Sequence, residues 1–100
     1  MSLPSTTQTD VELVELARHG DRSAFDDLLR RHDSRMRGLA YRLMADRGRM
    51  DDALQDAYLN AFKGLSKFRP GSDFGGWLYR ITYNACIDEL RRQKRAPQQM

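Results

Sequence analysis

One hundred residues, 40% hydrophobic and 31% charged, suit a single small domain with one core, and the formal charge of +3 is only mildly basic. Cys86 is the only cysteine, which excludes an internal disulfide and a cysteine-based metal cage and points to a reducing compartment. No basic-then-apolar leader opens the chain and no apolar run approaches spanning length, so a soluble, cytoplasmic protein with no membrane partner is expected.

In chain order, residues 1–9 are polar, contain Pro4 and read as a flexible arm. Thr9 and Glu12 have capping-box spacing ahead of Val11, Leu13, Val14, Leu16 and Ala17, which predicts a short helix ended by His19-Gly20. Asp21 or Ser23 then opens a longer helix, with Ala24, Phe25, Leu28, Leu29, Met36, Leu39, Ala40 and Leu43 at helical spacing. Arg30, Arg31, Arg35, Arg37 and Arg42 interrupt that pattern and read as a solvated face.

The segment 45–50 breaks the pattern, and Asp51 or Asp52 is expected to start the next helix, which runs to about Phe68. Its buried arc is Ala53, Leu54, Ala57, Tyr58, Ala61, Phe62, Gly64, Leu65 and Phe68. Leu59 stands apart among Asp52, Gln55, Asp56, Asn60 and Lys63. An isolated exposed leucine is ordinary, but an apolar contact with a polar rim is also how protein interfaces are built.

Residues 69–76 then form a loop, since Pro70-Gly71 and Gly75-Gly76 oppose a continuous helix and Ser72 or Asp73 can cap the next one. Phe74 in this loop reads as a plug for the core. The alternative is that the loop, with Phe68 beneath it, shapes a pocket for a flat group such as a base. A last helix starts at Trp77. Leu78, Tyr79, Ile81, Thr82, Ala85, Cys86 and Leu90 cover one broad side, with Tyr83 at its edge. Arg80, Asn84, Asp88, Arg91, Lys94 and Arg95 cover the other, with Trp77 on its flank; cations, an amide and an aromatic suit a nucleic-acid strand. Residues 96–100 read as a truncated linker.

Charge is uneven along this plan. Residues 63–95 carry eight cations against three acids, whereas residues 51–62 carry three aspartates and no cation, which suggests two partners of which one is anionic. No alternating strand pattern or repeat is visible, so the expected architecture is an all-α bundle of about four helices spanning residues 10–95.

Catalytic chemistry is not expected. Asp26-Asp27 and Asp51-Asp52 diverge by about 100° on a helix. His19 and His32 lack metal-ligand spacing, Cys86 lacks a histidine partner, and the glycine-rich loop lacks the lysine and hydroxyl of a nucleotide cradle. No metal, cofactor or small-molecule substrate is expected. The residues alone leave two classes open, a nucleic-acid-binding domain and an all-helical protein-interaction adaptor with a basic stripe.

The Asp52-x-x-Gln55-Asp56-x-Tyr58-x-x-Ala61-Phe62 helix, its Lys67-Phe68-Arg69 exit and Trp77-Leu78-Tyr79-Arg80-Ile81 resemble region 2 of bacterial extracytoplasmic-function (ECF) sigma factors. The resemblance spans residues 10–95. It implies a non-enzymatic promoter-specificity domain that binds core RNA polymerase and captures the non-template single strand of the minus-ten element. On that resemblance, Asp52, Gln55, Asp56, Leu59, Asn60 and Lys63 dock on the clamp helices of the beta-prime subunit. The loop of Phe68, Arg69, Ser72, Asp73 and Phe74, with Gly64 beside it, receives a flipped base. Asn84 contacts an adjacent base, while Arg80, Asp88, Arg91, Lys94 and Arg95 line the strand path. Trp77 is either a wedge at the upstream fork or a core anchor. The family implies an anti-sigma partner and a second DNA-binding domain, which this sequence does not encode.

Overall fold

The computed structural model describes residues 8–95, so the expected arm up to residue 7 and linker at 96–100 lie outside the described residues. Four helices follow in order: α1 Asp10–Arg18, α2 Arg22–Met44, α3 Arg47–Gly64 with a 3-10 turn at Leu65–Lys67, and α4 Phe74–Arg95. There is no strand among the described residues.

Local chemistry sets the first two helices. The Thr9 hydroxyl accepts from the Glu12 amide at 3.1 Å, and the Glu12 carboxylate accepts from the Thr9 amide at 2.9 Å, closing the expected box. Asp21 caps α2 through the Ala24 amide at 3.1 Å and also accepts from the Ser23 hydroxyl at 2.7 Å. Those donors, Ser23 first, hold its carboxyl below the ordinary value.

Two expected boundaries were misplaced. α3 starts at Arg47, not Asp51, because Asp46 accepts from the Arg49 amide at 3.1 Å and caps one turn earlier. Ala45 makes the corner between α2 and α3 in the left-handed region, at φ 55°. α4 starts at Phe74, not Trp77, with Gly75 and Gly76 inside its first turn. These glycines admit neighbours rather than break the helix. A Cβ on Gly75 would lie 2.9 Å from the His32 ring, and one on Gly76 would lie 2.8 Å from the Asp73 carboxylate.

α3 is the central element, packed between α2 and α4. Ala53, Ala57 and Ala61 are fully buried at four-residue spacing, a row of small side chains that lets its neighbours approach closely. Leu13 and Val14 of α1, Phe25, Leu28 and Met36 of α2, and Leu78 and Cys86 of α4 complete the core. Burial pushes the Cys86 thiol up, so it behaves as a small apolar side chain. Thr82 is buried but satisfied, its hydroxyl donating to the Leu78 carbonyl at 2.8 Å.

The arginines expected to be a solvated face are mostly engaged. Arg31 pairs with Asp10 at 3.1 Å, and Arg37 bridges Asp33 at 2.8 Å and Asp51 at 3.3 Å. The Arg35 guanidinium lies 4.9 Å over the Tyr79 ring. Asp10 also meets His32 at 2.8 Å, so His32 ties α1 to α2 beneath the loop.

Candidate nucleic-acid interface

The loop between α3 and α4 is built by a turn and a strap. The Ser72 amide donates to the Arg69 carbonyl at 3.1 Å, with Pro70 and Gly71 (φ 87°) at the central positions, as a type II turn requires. Arg18 of α1 donates to the Phe68 carbonyl at 2.6 Å and reaches the Leu65 carbonyl at 3.4 Å. It thereby satisfies carbonyls left open where α3 ends. Nothing in the spacing of Arg18 and Phe68, 50 residues apart, signals this bond.

Beneath the turn, three aromatic rings pack on one another. Phe68 lies 5.8 Å from Phe74 and 4.8 Å from Trp77, and Phe74 lies 5.6 Å from Trp77 and 5.7 Å from His32. Phe74 is 2% exposed and Phe68 is 4% exposed, so both are core side chains under the loop. Trp77 is half-buried against the same cluster, with its ring over Gly64, where a Cβ would stand 3.4 Å away. Gly64 therefore seats Trp77. The cleft at the loop is bounded on one side by Phe68, Pro70, Gly71, Ser72 and Phe74 and on the other by Asp10, Val11, Val14 and Glu15 of α1. It encloses about 20 Å³, room for about one water molecule. Sequence reading had assigned no residue of α1 to this place.

Along α4, Arg80, Asn84, Asp88, Arg91 and Lys94 are all exposed, as expected; Arg95 is the last described residue. Asp88 sits 3.9 Å from Arg91. The cations of the chain sort into two groups. Arg18, Arg30, Arg37, Arg49 and Arg92 have carbonyl or carboxylate partners, and Arg49 and Arg92 converge on Glu89. Lys63, Lys67, Arg69, Arg80 and Lys94 have none among the described residues. Arg42 of α2 and Arg47 at the start of α3 have none either; the other five lie at the exit of α3 or on α4, where positive charge is left uncompensated along one path.

A second surface lies between α2 and α3. Leu59 is 53% exposed and Phe62 is 42% exposed, so Phe62 joins Leu59 outside rather than the buried arc. Phe62 is held edge-on to Phe25 at 5.3 Å and lies under the Arg22 guanidinium at 4.7 Å. Arg22, Asp26, Leu29, Gln55 and Asp56 complete a groove of about 340 Å³. Asp56 also meets Arg92 of α4 at 3.3 Å, while Asp52, Asn60 and Lys63 stand exposed on α3. Tyr58 is half-buried and donates to Asp33 at 2.6 Å; burial first, then this bond, raises its hydroxyl pKa well above the ordinary value.

Residues 28–96 match the family model for sigma-70 region 2. The chain belongs to the sigma-70 region 2 family. Its relatives include ECF sigma factors. It is 44% identical to ECF RNA polymerase sigma factor SigM of Mycobacterium tuberculosis over 90% of this chain and 46% of that protein. It is 37% identical to the ECF RNA polymerase sigma-E factor of Escherichia coli K12 over 89% of this chain and 46% of that protein. The chain thus spans about half the length of the curated relatives it matches. Among solved structures it is similar to an engineered region 2 of sigmaE in complex with GTAAAA, with a TM-score of 0.84 and 34% identity over 92% of this chain and 96% of that one. The expected family and all-helical class therefore hold for this region 2.

Proposed function

We propose that this region 2 is a promoter-recognition domain that holds the non-template single strand of a minus-ten element while docked on core RNA polymerase. Its similarity to a region 2 that binds GTAAAA, over nearly the whole domain, carries the reading. The five unpartnered cations at the exit of α3 and on α4 agree with it, since phosphates are the ligand that such a path attracts. In this reading Asn84 contacts a base, and Arg80, Arg91 and Lys94 hold phosphates.

The base pocket needs one revision. Phe68 and Phe74 are core side chains and the cleft above them holds about one water, so a base enters only if the turn at residues 69–73 moves away from α1. Phe68 and Phe74 then form the floor, Arg69, Ser72 and Asp73 the lid, and Val11 and Glu15 the far wall. Opening a base step costs a few kcal/mol, which stacking and phosphate contacts offset. Trp77 acts as the anchor that fixes α4 against the floor.

The groove at Leu59 and Phe62 is the polymerase-docking face, with Asp52, Gln55, Asp56, Asn60 and Lys63 as its polar rim. An anti-sigma partner would compete for it. Titrating the isotope-labelled chain with single-stranded GTAAAA and following amide shifts tests the DNA half. The largest shifts are expected in residues 69–73, at Arg80 and at Asn84. Shifts confined to the Leu59 groove would overturn the assignment of faces.

A further inference from the structure

The aromatic side chains of this domain are nearly all engaged internally. Phe68, Phe74 and Trp77 pack on one another, Phe62 packs on Phe25 beneath Arg22, Tyr58 donates to Asp33, and Tyr79 lies under Arg35. Two differ. Tyr41 of α2 is 63% exposed with no side-chain partner among the described residues, and Tyr83, 44% exposed in the middle of α4, likewise has none for its ring or its hydroxyl.

The surroundings of Tyr83 are unusual for a tyrosine left in water. At about 100° per residue, Tyr79, Arg80, Tyr83, Ile87, Leu90, Arg91 and Lys94 share one arc of about 120°. No carboxylate falls in that arc. Asp88 lies outside it, and Glu89 is turned inward to Arg49 and Arg92. Arg80 is one turn before Tyr83 and unpartnered, while Ile87 is one turn after it and half-buried. A flat ring with an apolar neighbour and a cation beside it fits a nucleobase whose phosphate the cation holds.

We infer that Tyr83 is the exposed stacking platform of α4, taking the face of an unpaired base of the single strand next to the one that Asn84 contacts. The inference rests on the proposed function and deepens it. Asn84 offers a directional amide and discriminates between bases, whereas a ring face accepts any base. Tyr83 is thus a holding residue that sets affinity more than sequence choice.

The test is fluorescence anisotropy of the chain with a labelled, mixed-sequence single-stranded DNA, repeated across salt concentrations and with an abasic strand of equal length. Tyr83→Ala is expected to weaken binding about tenfold, as loss of one stacked base does. Tyr83→Phe keeps the ring and stays within about twofold of the parent. The salt slope is unchanged in Tyr83→Ala but falls by about 0.7 in Arg80→Ala, since only the arginine releases a counterion. On the abasic strand Tyr83→Ala binds as the parent does.

Wild-type affinity in Tyr83→Ala, an equal loss on the abasic strand, or failure of Tyr83→Phe to restore binding would each overturn the stacking role. If Arg80→Ala and Asn84→Ala weaken binding while Tyr83→Ala does not, this inference alone fails. If the parent chain binds no single strand, the proposed function fails with it. A Tyr83→Ala effect confined to capture of a protein partner assigns the ring to a protein contact and overturns the inference.

Discussion

Gly75→Ala sets two effects of known size against each other. Alanine is favoured over glycine within a helix by up to about 1 kcal/mol, less in the first turn, so on propensity alone the substitution stabilises α4. Against this, the added Cβ would stand 2.9 Å from Cε1 and 3.1 Å from Nδ1 of His32. The ring cannot swing away cheaply, because its Nε2 meets Asp10 at 2.8 Å and its face packs on Phe74. Overpacking of this kind costs about 1–3 kcal/mol, so the clash wins and a net loss of about 1–2 kcal/mol is expected. For a domain of this size that is a fall in Tm of roughly 5–15 °C.

Urea denaturation followed by far-ultraviolet circular dichroism measures it, with an unchanged m-value as the check that only stability moved. The decisive arm is the double-mutant cycle. In a His32→Ala background the new methyl has room, so Gly75→Ala becomes neutral or stabilising, a coupling of at least about 1 kcal/mol. A Gly75→Ala variant more stable than the parent would refute the close-approach explanation.

The remaining predictions concern the core, one corner, one titration and one interface. Phe74→Ala should cost about 3–5 kcal/mol by thermal or chemical unfolding, as for a buried phenylalanine; a loss under about 1 kcal/mol would show that the ring is not in the core. Ala45→Gly should gain about 0.5–1 kcal/mol by relieving the left-handed φ at the corner of α2 and α3, and a measured loss would contradict it. Because the folded Tyr58 hydroxyl has its pKa raised above the unfolded value, its contribution is fully present below about pH 10 and declines as pH rises further. Stability of Tyr58→Phe should therefore be lower by about 1 kcal/mol near neutrality and less sensitive to alkali, and an identical alkaline profile would exclude Tyr58 as the cause. Leu59→Ala combined with Phe62→Ala should reduce capture of core RNA polymerase at least about tenfold with little change in single-strand affinity, and unchanged capture would remove the docking face.

Local signals were legible in the sequence where the chemistry is local. The Thr9 and Glu12 box, a cap at Asp21 or Ser23, the helical rows of α2 and the exposed amide and cations of α4 all follow from spacing alone. What spacing does not carry is distance across the fold. Gly75-Gly76 looked like a helix break because nothing in the chain near residue 75 shows that the His32 ring stands over it. The break in pattern over residues 45–50 similarly hid the true start of α3, where the Asp46 carboxylate is already capping. Phe62 was assigned inward, and Tyr83 to the edge of the buried side, from a wheel, which assumes that partners cover a fixed arc; part of it is left uncovered. The same limit hid the sorting of cations, since Arg37 and Arg80 are indistinguishable until Asp33 and Asp51 are seen around one and nothing around the other.

The domain is proposed to hold a melted strand, and the most direct measurement is its affinity for a mixed-sequence single strand against the duplex of the same sequences at one salt concentration, with Asn84→Ala beside the parent. The account predicts tighter binding to the single strand by the parent and a loss of about 1–3 kcal/mol in Asn84→Ala for the sequences that bind best. Equal affinity for single strand and duplex, unaffected by Asn84→Ala, would contradict it and leave only a generic attraction between a basic helix and any polyanion.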